Sequence, residues 1–314
     1  MNIMSENIKD VVMIGGGPSA LTAAIYTSRE DLDTTIYEKA VVGGITAVID
    51  KIDNYPGFAD GIEGSVLAEQ MEKQAKRFGT KIEFGDVSAI RKDGDLVVVT
   101  VDETEIKAKA VLIATGSSNS KLGVPGELEY YGRGVHYCAT CDGAFYRGKR
   151  LVVVGGGNSA VQEAIYLTRF ATHIDLVVRS TIKASEVLQN ELKKFVKDDK
   201  ITVHLGSPTE EIVAVNGHVT SVRVTQCEKS VDIETDGVFV FVGLKPNTDF
   251  LSGSGIELDE QGFIKTDLKL QTNILGIFAS GDVRSGATMQ IASAVGEGAT
   301  VADTIDEYLH TLKK

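Results

Sequence analysis

The sequence predicts an α/β protein with two Rossmann-like dinucleotide-binding units and β-hairpin insertions, on three observations. An apolar strand, a glycine turn and an Ala-rich helix follow one another from Asp10 to Tyr26, and the same succession returns from Arg150 to Tyr166. Two β-branched stretches, Phe84 to Val101 and Ile201 to Val224, carry Asp93-Gly94 and Asn216-Gly217 and read as antiparallel hairpins.

In the first unit, Gly15, Gly17 and Ala20 hold the G-x-G-x-x-G/A spacing. One small residue makes the turn, one lets a pyrophosphate approach the backbone, and one packs helix on strand. The helix then points unpaired amides at the phosphates. A second strand, Thr34 to Tyr37, ends at Glu38, an acceptor for ribose hydroxyls. In the second unit Gly155, Gly157 and Ala160 repeat the spacing, with Asn158 and Ser159 between them. The place matching Glu38 is Val178, followed by Arg179. Loss of the acid beside an Arg points away from NAD, toward NADP or toward no ribose readout. Three further segments complete the map. Val111 to Gly116 is a strand ending in Thr115-Gly116, with a polar linker after it. Gly276 to Asp282 is a strand stopping at an acid suited to a sugar hydroxyl. A small-residue helix spans Gln290 to Ala302.

Length and composition agree with this reading. The chain has 314 residues, enough for two domains. With 43% hydrophobic and 24% charged residues it is neither disordered, collagen-like nor a disulfide scaffold. A net charge of −12 argues against nucleic acid as the main partner. Apolar runs are too short to span a bilayer, and Met1 to Asp10 carries no secretory pattern, so a soluble cytoplasmic protein is expected.

In such a compartment the pair Cys138 and Cys141 must be redox-active, metal-binding or inert. Zinc needs about four ligands, and His136 with the two cysteines has only distant Cys227 to complete the set. An inert pair would be two small core residues. The redox use is favoured because C-x-x-C suits a reactive disulfide and Asp142 follows at once to return a proton. A nicotinamide does not readily reduce a protein disulfide, whereas a flavin passes electrons to sulfur, so FAD in the first unit is the simplest reading. Cys227, placed in a strand, is expected to be a bystander.

These residues resemble the low-molecular-weight thioredoxin reductases over essentially the whole chain. The resemblance is carried by Gly15-Gly-Gly-Pro-Ser-Ala20, Asn54-Tyr-Pro-Gly-Phe58, Ala114-Thr-Gly116, Cys138-Ala-Thr-Cys-Asp-Gly143, Gly155-Gly-Gly-Asn-Ser-Ala160, Leu167-Thr-Arg-Phe-Ala171 and Gly281-Asp282. It implies that FAD lies on Gly15, Gly17, Ala20, Glu38, Gly44, Thr46, Asn54, Thr115, Gly116, Asp282, Gln290 and Ile291. It implies a discontinuous FAD domain of residues 1–116 and 246–314 and an inserted pyridine-nucleotide-type domain of residues 117–245. In such enzymes the second cysteine, here Cys141, meets the flavin, the first, here Cys138, exchanges with thioredoxin, and the following Asp protonates. Domain rotation would hinge near Ser117 to Lys121 and Gly243 to Asn247, and a homodimer is expected.

The pattern is broken at three places. NADPH-using relatives carry His-Arg-Arg and a further Arg, where this chain has Val178-Arg179-Ser180 and Lys183. The residues NADPH would use are therefore Gly155, Gly157, Asn158, Ser159, Ala160, Arg179 and Lys183, without a full 2′-phosphate clamp. Ile45 replaces a Gln after Gly43-Gly44, and Met289 replaces an Arg before Gln290. The expected activity is transfer of electrons through FAD and the Cys138/Cys141 disulfide to thioredoxin, from NADPH or from another donor such as ferredoxin. Two alternatives stand beside it: an FAD-dependent dithiol oxidase using O2, and a flavin redox sensor without turnover. Arg133, Arg147, Lys149 and Arg150 form a basic cluster around the cysteines that would steer an acidic partner.

Overall fold

The structure is a computed structural model describing residues 8–49, 51, 52 and 54–312. Most of the Met1 to Asp10 stretch read above therefore lies outside the described residues. The chain forms two compact units, Met1–Ser118 with Lys245–Lys314, and Asn119–Leu244.

The first unit opens with β1 (Lys9–Ile14), α1 (Pro18–Arg29) and β2 (Thr34–Glu38). Pro18 is tolerated at the first helical turn because no amide there has an intrahelical partner. Then come α2 (Gly64–Arg77), β3 (Lys81–Phe84), β4 (Val87–Asp93), β5 (Leu96–Val101), β6 (Thr104–Ile113) and the connecting strand β7 (Ser117–Asn119).

The second unit contains β8 (Val135–His136), α3 (Ala139–Asp142), β9 (Arg150–Val154), α4 (Asn158–Leu167), β10 (His173–Val177), α5 (Glu186–Lys197) and β11 (Ile201–His204). It continues with β12 (Thr209–Val215), β13 (His218–Gln226), β14 (Lys229–Glu234) and β15 (Gly237–Val240). The chain leaves through β16 (Leu244–Pro246) and ends in the first unit with β17 (Ile277–Ala279) and α6 (Ile291–Leu312).

The first unit's sheet runs β3-β2-β1-β6-β5-β4, with β17 also paired to β6. Its β3, β2, β1, β6 and β17 are mutually parallel, and β5 and β4 continue antiparallel. Both faces of the parallel part are covered, which is why β1 reads as an unbroken apolar run. On one face α1 and α6 lie so close that a Cβ on Gly298 would sit 2.4 Å from the Ser19 carbonyl oxygen. The second unit has a parallel sheet β11-β10-β9-β15-β8 and a separate antiparallel sheet β12-β13-β14. These are Rossmann-like units with added β-structure.

Some boundaries differ from the sequence reading. Phe84 belongs to β3, parallel to β2, and the hairpin starts only at Val87. Ile201 to His204 is likewise a parallel strand of the nucleotide-type sheet, and the second hairpin begins at Thr209. Short apolar runs look alike in parallel and antiparallel company. Cys227 is not in a strand. With Glu228 it forms the two-residue turn between β13 and β14, both at positive φ and with no Gly or Asn to announce it.

Candidate functional site

The first glycine turn has room for only one shape of backbone at its start. Gly15 has φ +96°, and a Cβ there would lie 2.6 Å from the Ala114 carbonyl oxygen at the end of β6. Gly17, the N-cap of α1, is extended and open, with nothing within 4 Å of a Cβ. Between them Gly16 donates its amide to Glu38 Oε2 at 2.6 Å, while Glu38 Oε1 accepts the Ala40 amide at 2.7 Å. Ala20 is fully buried beneath the turn.

Other predicted residues of this unit form local groups. Thr115 Oγ1 donates to the Asn247 carbonyl and Asn247 Nδ2 donates to the Thr115 carbonyl, both at 2.8 Å, and the Asn247 amide donates to Gly116 O. Asn54 Nδ2 donates to Gln290 Oε1 at 3.0 Å, directly before Ile291 opens α6. Gly44 and Thr46 lie in the short 3-10 turn Gly44–Val48, where Thr46 is buried. Asp282 follows β17 in a turn held by Glu297, which accepts the Gly281 amide at 2.8 Å and pairs with Arg284. No hydrogen bond from the described residues reaches the Asp282 carboxylate. Burial, and then the Glu297 charge, push it up to about 6.

The second glycine turn repeats the geometry. Gly155 has φ +146°, and a Cβ would meet the Phe241 carbonyl oxygen at 2.3 Å, as Gly15 meets Ala114. Gly157 is again open, and Ala160 is again fully buried. Asn158 Oδ1 accepts the Ser185 amide at 2.8 Å, and the Lys183 amide donates to Gly156 O at 2.7 Å, folding the loop after β10 onto the turn. Val178 packs against Gly156 and is buried, whereas Ser159, Arg179, Ser180 and Lys183 are exposed.

Cys138 and Cys141 form a disulfide, with Cα atoms 5.3 Å apart. Cys138 caps the single turn α3, and its sulfur accepts the Cys141 amide at 3.2 Å. Asp142, half-buried, ends that turn with Oδ2 3.3 Å from His136 Nδ1. The buried Glu127 was missed in the sequence. It accepts the amides of Leu122 and Gly123 and the hydroxyl of Tyr137, beside Cys138. Nothing local marks that carboxylate, because its partners lie along an irregular loop. The basic cluster is largely engaged: Arg150 pairs with Asp175 and Lys149 with Asp236, while Arg147 lies over Phe170. Cys227 is exposed. Among the described residues no group of three or more His, Cys, Asp or Glu is arranged to hold a metal ion, and no helix is long and apolar enough to cross a membrane.

Two dinucleotide-type turns and a C-x-x-C disulfide in one chain define a disulfide oxidoreductase of the nucleotide-cofactor class. The chain belongs to the pyridine nucleotide-disulphide oxidoreductase family, whose model matches residues 9–298. Its full-length likeness within that family is to thioredoxin reductases. It is 43% identical to that of Listeria innocua over 98% of this chain and 96% of the relative. It is 40% identical to that of Bacillus subtilis over 98% and 97%. The solved thioredoxin reductase of Streptococcus pyogenes superposes with a TM-score of 0.91 at 39% identity, covering 98% of this chain and 100% of that one.

FAD is the cofactor of this family, and the first unit fits it. The open Gly17 leaves space that any Cβ would begin to fill. The half-buried Asp282 carboxylate, unpartnered among the described residues, is an acceptor for a hydroxyl.

Proposed function

We propose that the chain reduces the disulfide of a thioredoxin-like protein, with FAD held by Gly15, Gly17, Ala20, Glu38, Gly44, Thr46, Asn54, Thr115, Gly116, Asp282, Gln290 and Ile291. The observation that carries the reading is the Cys138–Cys141 disulfide at a helix cap with a carboxylate beside it, in a chain that also holds two glycine turns. When bound, FAD supplies a two-electron carrier able to reduce sulfur. The chain's own residues do the rest. Once reduced, Cys138, capping α3, is the sulfur for attack on the partner, Cys141 closes the disulfide again, and Asp142 moves the proton. This reading treats residues 1–116 and 246–314 as the FAD domain and 117–245 as the domain carrying the cysteines. It assigns the protein to the cytoplasm, as a homodimer.

The electron donor is a separate question, and the exposed loop after β10 bears on it. The backbone cradle for a dinucleotide is intact at Gly155, Gly157, Asn158, Ser159 and Ala160. Only Arg179 and Lys183 remain as cations for a 2′-phosphate. This favours either NADPH held loosely or a protein donor such as ferredoxin. Stopped-flow reduction of the bound flavin tests both routes. Reduction by reduced ferredoxin but not by millimolar NADPH removes the NADPH route, and saturable reduction by NADPH restores it. Steady reduction of thioredoxin, lost in Cys138→Ser, is expected in either case. Fast O2 consumption with a dithiol and no thioredoxin turnover would overturn the reductase reading.

A further inference from the structure

The imidazole of His136 is buried between three groups of its own unit. It stacks on Phe239 of β15 at 5.2 Å between ring centroids, its Nε2 lies 2.7 Å from the Tyr146 hydroxyl, and its Nδ1 lies 3.3 Å from Asp142 Oδ2. Both ring nitrogens are thus engaged, in a line that runs from Tyr146 through His136 to the carboxylate following Cys141. The register explains the placement. β8 pairs in parallel with β15, setting His136 opposite Phe239, and the chain turns at once into α3 and the 3-10 turn carrying Tyr146.

We propose that His136 is a positioning residue for the disulfide chemistry: with Tyr146 behind it, it fixes the Asp142 carboxylate and shares one proton with it. This rests on the thiol–disulfide reading above. In one arrangement Nδ1–H donates to a charged carboxylate and Tyr146 donates to Nε2. In the other Asp142 carries the proton and donates it to Nδ1, while Nε2–H donates to Tyr146. The second holds one proton more than the first, the one that the pair takes up and gives back, and Tyr146 stays neutral in both. Burial first, then the charges of Asp142 and Asp236, push its hydroxyl up to about 12. Asp142 comes from α3, Tyr146 from the turn after it and Asp236 from the turn before β15, and β15 itself presents only the neutral Phe239.

The exchange balances with this proton in place. The Cys138 thiolate attacks one sulfur of the partner disulfide, and the other partner sulfur leaves and takes a proton. The Asp142–His136 pair takes the proton of the Cys141 thiol. The Cys141 thiolate then attacks Cys138 Sγ, re-forming the Cys138–Cys141 bond, and the second partner sulfur leaves and takes that proton from the pair. Two electrons pass to the partner, and the two protons it gains equal the two lost by Cys138 and Cys141.

The test is a pH–rate profile for a single turnover in which dithionite-reduced holoenzyme reduces thioredoxin. It compares wild type with His136→Asn, which keeps a donor at the Nδ1 position but cannot titrate, and His136→Phe, which keeps only the stack. Without the imidazole the carboxylate holds that proton alone and less firmly, so both variants should lose about tenfold or more on the alkaline side, with the limb moved to lower pH. His136→Asn should keep the acid-side plateau, which His136→Phe loses, and half-saturation by thioredoxin should stay unchanged in His136→Asn. Profiles superimposable on wild type, or an equal plateau loss in both variants, would overturn the proposal. If wild-type reduced enzyme passes no electrons to thioredoxin, the functional reading fails and this inference with it. If wild type does and the variants match it, only the role of His136 falls. His136→Asn carries the alkaline-limb test alone if His136→Phe does not fold.

Discussion

Glu38 accepts the backbone amide of Gly16 at 2.6 Å, so the last residue of β2 holds the middle of the first glycine turn. Its other oxygen holds Ala40, and a second lone pair on each oxygen remains for ribose. Glu38→Gln puts an amide group where a second acceptor is needed. It should cost about 1–3 kcal/mol of stability and weaken FAD by about tenfold. Thermal melts of the apoprotein and fluorescence titration with FAD check both. An unchanged FAD affinity would detach Glu38 from the cofactor.

Gly15 and Gly17 should separate folding from binding. Gly15→Ala must place a Cβ 2.6 Å from Ala114 O at positive φ, and should cost about 3 kcal/mol or more. Gly17→Ala has open space and an extended backbone, so its melting temperature as apoprotein should match wild type. Its FAD affinity should still fall by about tenfold, because the methyl occupies the approach to the helix N-terminus. Equal FAD content in purified Gly17→Ala would contradict the placement.

Asp282 offers a trade of stability against cofactor. A carboxyl titrates near about 4 in an unfolded chain and about 6 here, so folding takes up a proton between those values. Apoprotein stability then falls as pH rises through that window. Asp282→Asn removes the charge. As apoprotein it should exceed wild type by up to about 3 kcal/mol at pH 7, and the two should converge near pH 4. FAD affinity should fall with the lost acceptor. Denaturant unfolding at the two pH values tests the sign, and a variant no more stable at pH 7 refutes it.

Ser180→Arg should report whether the second glycine turn reads a 2′-phosphate. Ser180 is exposed, and among the described residues its carbonyl accepts the Gly206 amide while its side chain makes no hydrogen bond, so the fold has no stake in that side chain. A charge-assisted contact there should tighten 2′,5′-ADP binding by about ten- to a hundredfold. No change in calorimetric titration would mean that this turn does not present its loop to a nucleotide phosphate.

The parts of the protein that could be read from its residues are those where one local requirement selects one residue type. Gly15 and Gly155 are such positions, and so are the buried runs of β1 and β9 and the spacing of Cys138 and Cys141. Parallel and antiparallel strands could not be told apart at Phe84 or Ile201, because pairing is decided by chain segments far away in sequence. The turn at Cys227-Glu228 lacks the usual Asn or Gly. Within its own segment His136 reads only as a metal ligand beside the cysteines. Its contacts with Tyr146 and Phe239 depend on β8 lying beside β15, a relation across about a hundred residues that no local pattern encodes.

The paired glycine turns also bear on how such a protein changes over time. In each unit the turn is locked by a carbonyl of a neighbouring strand, Ala114 or Phe241, and those positions admit almost no variation. The side chains of Arg179, Ser180 and Lys183 in the loop after β10 are exposed. On the reading proposed above, the identity of the electron source is written in a few surface letters on a rigid page. A lineage could exchange one reductant for another by a short mutational path that leaves folding, the flavin-type unit and the cysteine pair untouched.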